Sequence, residues 1–275
     1  MKYCFALTLI TCLVLPAFGQ STDELLNDAA KALRDKPPEQ GLKLATKAVE
    51  RDPTSIAALS LRASIYEKLD KHAPAAADYR KILDMLADEH QQRGIAQFKA
   101  GKITESIDEF DRQIALSPDA KISHWQRGIS YYYAGRYDDG RKQFEGYQDF
   151  DSNDVENAVW RFMCMARKDG IDKARKAILK TGNDKRVPMR QVYDLYKGDL
   201  KPDDVLKAAK ADRELFYAHL YVGTYFDLLG DKKLAFEHLN KATEDYRIGH
   251  YMWDVARVHR DLLAKELKKK EPRTK

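Results

Sequence analysis

Cysteine is scarce in this 275-residue chain: there are three, and two of them, Cys4 and Cys12, fall within the first twelve positions. With Cys164 the one thiol beyond them, no disulfide framework can hold the fold, which must rest on packing. Glycine (14) and proline (9) are too few for a collagen-like or loop-dominated low-complexity chain. Sustained two-residue alternation rich in β-branched side chains is missing, so strands are not expected. No apolar run approaches the roughly 20 residues that a membrane-spanning helix requires. Charge of one sign is not in excess either, since 48 basic against 43 acidic residues leave only +5. That balance argues against a nucleic-acid partner. What remains is a chain 44% hydrophobic and 33% charged, apolar enough to bury a core.

The first 19 residues read as a secretory signal. Met1-Lys2-Tyr3 is a short positive region, Cys4 to Leu15 is largely apolar, and Pro16-Ala17-Phe18-Gly19 supplies small residues before a cut ahead of Gln20. Export to the periplasm or the medium is the expected outcome. Thr11 before Cys12 makes a poor lipid-attachment box, so a lipid anchor is disfavoured. At the far end, residues 266–275 form a basic tail, which reads either as a solvated helix end suited to the negative pole of the helix dipole or as a contact for an acidic polymer.

Between these ends the chain repeats. Gly94, Gly101 and Phe110 recur as Gly128, Gly135 and Phe144, each 34 residues on, and Pro118 closes the first of these copies. Three anchors in one register predict two antiparallel helices per unit. Gly94 and Gly128 sit where two helices must approach closely. Gly101 and Gly135 suit a tight turn of positive φ. Phe110 and Phe144 fill the space between units. Gly223, Gly230 and Ala235 form a later copy. Ala63, Tyr66, Ala75 and Tyr79 form an earlier one, joined to the next by a connection three residues shorter, and Ala29, Gly41, Ala45 and Pro53 mark a weaker first unit. Ser21-Thr22-Asp23-Glu24 has the form of a capping box opening the first helix.

The register lapses over residues 152–211. There Val155–Lys168, Ile171–Lys180, Pro188–Tyr196 and Pro202–Lys210 read as irregular helical hairpins. The predicted organisation is therefore a signal (1–19), N-terminal repeats (20–151), the irregular middle (152–211), a C-terminal repeat with a final amphipathic helix, Tyr251 to Lys269, that covers the end of the stack (212–265), and the tail.

This order, small residue, aromatic, turn glycine, small residue, aromatic, proline, resembles the tetratricopeptide (TPR) repeat. The stretches His124-Trp125-Gln126-Arg127-Gly128 through Arg136, Tyr193 to Leu200 and Leu220 to Asp231 resemble more narrowly the bacterial periplasmic TPR lipoprotein NlpI family over residues 56–265. The resemblance implies an all-α solenoid of helical hairpins acting as a non-enzymatic scaffold, a homodimer in some members, that brings envelope hydrolases and a protease together. The missing lipid-attachment cysteine departs from that pattern.

Catalytic motifs are wanting: there is no His-Glu-x-x-His, no Gly-x-Ser-x-Gly and no Cys-x-x-Cys. No cofactor or metal is expected. His90, His124 and His219 share one repeat slot, but equivalent positions on packed helices lie roughly 10 Å apart, too far to share one ion. Cys164 between Met163 and Met165 reads as a small buried apolar side chain. The carboxylate clamp of chaperone-binding repeats is disfavoured because Ser64, Ile95, Ile129 and Thr224 occupy its asparagine slot. The inner face of the first helices is the candidate site. Gln91, Ile95, Phe98 and Lys99 from one unit, with Trp125, Ile129, Tyr132 and Tyr133 from the next, would line a peptide-binding groove. Two alternatives stand beside it: a core in which the second half of the chain buries these rings, and a groove for a glycan or peptidoglycan fragment.

Overall fold

The computed structural model describes residues 20–270; the signal-like segment and the last five residues lie outside them. Among the described residues the fold is all-α, a series of helical hairpins. No described helix is long and apolar enough to cross a membrane. The chain divides into two compact units, one up to Met85 and one from Leu86 onward.

The first unit holds α1 (Thr22–Asp35), α2 (Pro38–Arg51), α3 (Ile56–Lys68) and the opening half of α4 (His72–Lys99). Ser21 and Glu24 close the expected capping box, each side chain bonding the other's backbone N–H at 3.2 and 2.7 Å. Proline stands at the first position of α2, where a missing N–H removes nothing. Leu25, Val49 and Leu59 form the buried centre, with Ile82 and Met85 packed on it. A bidentate pair from Arg62 to Asp78, 2.8 and 2.6 Å, ties α3 to α4.

The second unit contains the rest of α4, α5 (Ile103–Leu116), the short α6 (Ala120–Ser123), α7 (Trp125–Tyr133), α8 (Tyr137–Tyr147), α9 (Val155–Asp169) and α10 (Ile171–Lys176). It continues through α11 (Met189–Lys197), α12 (Pro202–Ala208), α13 (Asp212–Leu229), α14 (Lys232–Glu244) and α15 (Tyr251–Lys270). Its core runs from Phe98 to Leu263 and includes Trp160, Phe162, Tyr196 and Tyr221.

The repeat register has a direct steric content. A Cβ placed on Gly94 would lie 2.4 Å from the Phe110 ring, and one on Gly128 2.6 Å from Phe144. Each aromatic therefore fills the gap inside its own hairpin. Phe110 also meets the next unit, edge-on to His124 at 4.5 Å. At the turns, Gly101, Gly135 and Gly230 adopt φ of 75°, 71° and 87°. Gly223 approaches Leu239, and Ala235 is fully buried beside it. Pro118 follows the end of α5 by two residues. Cys164 is buried at 0% exposure, its sulfur 2.8 Å from where a Cβ on Gly140 would sit, and burial pushes its thiol far above the ordinary range.

One expectation changes. The second and third hairpins share one unbroken 28-residue helix, α4, because the stretch Lys81 to Gln92 that should have turned holds neither glycine nor proline and consists largely of helix formers. The boundary between the two compact units falls at Met85, within α4. Residues 266–270 are the last turn of α15, in keeping with the helix-end reading of the basic segment.

Packing at Gly128 yields a paired prediction. Gly128→Ala forces its methyl into the fully buried Phe144 ring and should destabilise by about 1–3 kcal/mol. Gly146→Ala, with nothing within 4 Å of its new Cβ, should stabilise by about 0.5–1 kcal/mol. Thermal melts of the two variants, moving in opposite directions, are the check.

Candidate functional site

Helix α7 is short and rich in aromatic and small residues, and its two sides do different work. Gly128 faces Phe144, while Ser130 approaches α5 with its hydroxyl 3.1 Å from that of Ser106. Trp125, Ile129, Tyr132 and Tyr133 recur at the spacing of one helical stripe. That stripe, with Phe98 at the end of α4, is the lining the sequence assigned to an open groove. It is covered by α15. The Phe98 ring lies 5.2 Å from Tyr251, Trp125 stands edge-on to Tyr251 at 5.3 Å, and Tyr133 is edge-on to His259 at 5.6 Å.

The eight assigned residues therefore separate. Phe98, Ile129 and Tyr132 are buried core. Tyr133 is half-buried and its hydroxyl bonds His259 at 3.1 Å. Lys99 is exposed, pairs with Asp254 at 3.2 Å and offers its carbonyl to Arg257. Gln91 and Ile95 are half-buried farther up α4. Trp125 is half-buried at the edge of that contact, its ring parallel to His250 at 6.3 Å. The cause lies in α15 itself: Met252, Val255, Ala256 and Leu263 give it an apolar face that needs burial, and the aromatic stripe supplies the matching surface. As its position in the sequence implied, α15 packs on α14, the last repeat helix, and it also lies on this stripe.

Asp227 of α13 holds that arrangement. It is 2% exposed, and Arg167 of α9 and Lys232 of α14 both pair with it; His259 of α15 bonds it at 3.0 Å. Arg167 also donates to the Tyr132 hydroxyl at 3.1 Å. Burial by itself would raise the Asp227 carboxyl, but His259, Arg167 and Lys232 hold it well below the usual carboxylate range. One carboxylate thus joins α9, α13, α14 and α15 and, through the Arg167 and His259 partners, α7.

Beyond the start of α15 a cavity of about 180 Å³ opens between α7, α8, α9 and the segment around His250. Trp125, Phe144, Tyr147 and Trp160 wall it, and Asp154, Glu156 and Arg186 supply its charge. Arg186 reaches three carboxylates, Asp154 at 2.5 Å and Glu156 and Asp184 at 2.6 Å. Tyr221 donates to the other oxygen of Glu156 at 2.5 Å. Desolvation pushes Glu156 up to about 7, with Arg186 opposing and Asp154 adding to the rise. A larger, shallow trough of about 760 Å³ lies elsewhere on α7, around Tyr131, over whose ring stand the guanidinium groups of Arg127 and Arg136 at 4.9 and 4.4 Å.

The repeated histidines each find a local partner. His90 bonds Glu109 at 2.6 Å, His219 bonds His238 at 2.9 Å, and His124 bonds Gln113 at 2.7 Å while its other ring nitrogen accepts the Arg127 N–H and caps α7. Burial draws His124 and His219 down to about 4, so both are neutral over most of the working range. No group of three or more His, Cys, Asp or Glu side chains poised to hold a metal occurs among the described residues.

Sequence reasoning missed Asp227 and the Asp154–Glu156–Arg186 cluster. The first had a signal: an aspartate inside the apolar run Tyr225-Phe226-Asp227-Leu228-Leu229 must be buried with partners or break the helix. The second had none, because Arg186 comes from a loop 30 residues from Glu156.

No family model matches the chain. Among solved structures it is similar to a tetratricopeptide repeat protein from Parabacteroides merdae, 14% identical over 90% of this chain and 100% of that one, with a TM-score of 0.41. It is also similar to PilF of Pseudomonas aeruginosa, at 16% identity, 89% and 97% coverage and a TM-score of 0.31. The Naa15/Naa10 structure bound to HypK-THB is a third, at 17% identity and a TM-score of 0.30, with 91% of this chain matched to 35% of that one.

Two outcomes follow from the buried charges. Asp227→Ala leaves Arg167, Lys232 and His259 facing one another without their counter-charge and should cost about 3–5 kcal/mol, with amide exchange in α15 accelerating more than in α8. Glu156 binds its proton more tightly folded than unfolded, so its ionisation costs stability progressively as pH rises from its ordinary value near 4.5 toward 7. Glu156→Gln should therefore gain on the wild type between about pH 5 and about pH 8, by about 1–3 kcal/mol in denaturant unfolding. A difference independent of pH would mean that Arg186 fully offsets the burial.

Proposed function

We propose that this chain is an exported, non-catalytic adaptor that docks partner polypeptides at the Trp125 end of the face built by α4 and α7. Hairpin repeats offer surface rather than convergent reactive groups, and extended surface is what such architectures use. The observation that carries the reading is the seat of α15. An amphipathic helix of 20 residues lies against the aromatic stripe, so the lining has the chemistry to receive a helical peptide, and the chain's own helix takes most of it. Trp125, half-buried where that helix begins, is left beside an aromatic-walled cavity. A rigid aromatic at the mouth of a pocket is the kind of anchor on which interface energy concentrates.

The glycan alternative finds less support. Sugars stack on open ring faces, whereas Trp125 has His250 parallel to it and Tyr251 at its edge, and Trp160 has Phe144 stacked on it and Tyr132 edge-on. Export rests on the N-terminal apolar segment with its small residues before Gln20. By the family resemblance the partners would be envelope hydrolases or proteases, and pairing of two copies belongs to the same reading.

Affinity capture from an envelope fraction followed by mass spectrometry tests it. Trp125→Ala removes a half-open ring from the rim, and partner recovery should fall about tenfold or more. Equal recovery at an unchanged melting temperature would overturn this placement of the site. Terminal sequencing of the exported protein should begin at Gln20.

A further inference from the structure

Among the polar side-chain atoms that the second unit buries without partners, two belong to side chains that wall the 180 Å³ cavity. Asn157 and Trp160 are each 2% exposed. Asn157 donates its Nδ2 to the Phe144 carbonyl at 2.9 Å, which fixes the amide orientation and leaves Oδ1 an acceptor with nothing to accept. The indole Nε1 of Trp160 is a donor with nothing to donate to. Three residues apart on α9, they share one helix face. Buried groups of this kind ordinarily find partners, and each one left without costs about 1–3 kcal/mol. The cavity is far larger than the space one bridging water needs.

Resting on the polypeptide-binding reading above, we infer that this cavity receives the carboxamide of a glutamine or asparagine side chain from the docked partner. The orphan pair asks for a guest that both donates and accepts. The carboxamide N–H would go to Asn157 Oδ1, and its C=O would accept from Trp160 Nε1. A carboxylate guest has no proton to give Asn157 and would meet Asp154 and Glu156. An ammonium or guanidinium guest has no acceptor for Trp160, and the carboxylates at the mouth already hold Arg186. A backbone amide carries chain on both sides, which a cavity the size of one side chain does not admit. The carboxamide enters end-on, its methylenes against Phe144 and the Trp125 rim.

The test uses the full exported chain, uniformly labelled with ¹⁵N, whose three tryptophans, Trp125, Trp160 and Trp253, give separate indole signals assigned with Trp160→Phe. The probes are N-acetyl-glutamine-methylamide, the matching glutamate compound and N-acetylglucosamine. The glutamine probe should move the Trp160 indole proton downfield, saturably and in the millimolar range, with the glutamate probe about tenfold weaker or worse. Asn157→Leu should weaken the glutamine response about tenfold. Should that variant fail to fold, Trp160→Phe, read at the Trp125 signal, carries the same expectation. Equal responses to the glutamine and glutamate probes would overturn the carboxamide. A stronger response to N-acetylglucosamine would give the cavity to a sugar. A Trp160 signal that exchanges with water and ignores every probe would leave it to solvent. A silent titration alongside capture that Trp125→Ala still abolishes would discard this pocket and leave the adaptor reading standing.

Discussion

A carboxylate placed in an apolar helix cannot stay ionised unless positive partners come to it, and Asp227 is such a carboxylate. Its neighbours in sequence, Tyr225 and Leu228 among them, commit that part of α13 to the interior, so its partners must come from other helices. They do: Arg167 of α9 and Lys232 of α14 bring the positive charge, and His259 of α15 adds a hydrogen bond. Hydrophobic burial is non-directional and would let α15 slide along its apolar face. The His259 bond to Asp227 and the Tyr133 bond to His259 fix one register among those possibilities. From that register follow the contacts of Tyr251 with Phe98 and Trp125, and hence which aromatic residues are core and which remain at an edge.

Much of the hairpin architecture could be read from the sequence because it is written in residues that permit only one solution. A glycine facing a phenylalanine 16 residues on, as Gly94 faces Phe110 and Gly128 faces Phe144, is a steric complement that no other residue type supplies without moving the ring. The irregular middle was legible for another reason. Gly170, Gly198 and Pro202 punctuate it, and α9, α11 and α12 begin or end beside these residues. Where punctuation is absent the reading failed: nothing between Ala75 and Phe98 terminates a helix, and α4 runs through the place where the period called for a turn.

The candidate site was less legible, because accessibility is a property of what packs on a residue rather than of the residue. Trp125, Ile129, Tyr132 and Tyr133 are spaced as one stripe whether water, a partner or α15 lies against them. The missing information sat more than a hundred residues away, in the apolar face of α15 and in His259. The cavity beside Trp125 was hidden for the same reason. Asp154 and Glu156 look like a helix N-terminus, Arg186 like a solvated loop residue, and only the fold brings them within 2.6 Å of one another.

The occupied stripe has a consequence for where a partner can bind. A helix tethered to the same chain faces its seat at an effective concentration that a free competitor rarely reaches. Displacing α15 would in addition strip His259 from Asp227 and expose the apolar side chains of both surfaces. Losing the buried hydrogen bond between His259 and Asp227 costs about 1–3 kcal/mol. A polypeptide that bound by expelling α15 would have to recover that before gaining any affinity. One that binds beyond Tyr251, where α15 has not yet begun to cover the lining, meets no such opposition. The half-open ring of Trp125 and the cavity next to it lie at that margin, and the unpaired atoms of Asn157 and Trp160 leave there a gain that a suitable guest can still make.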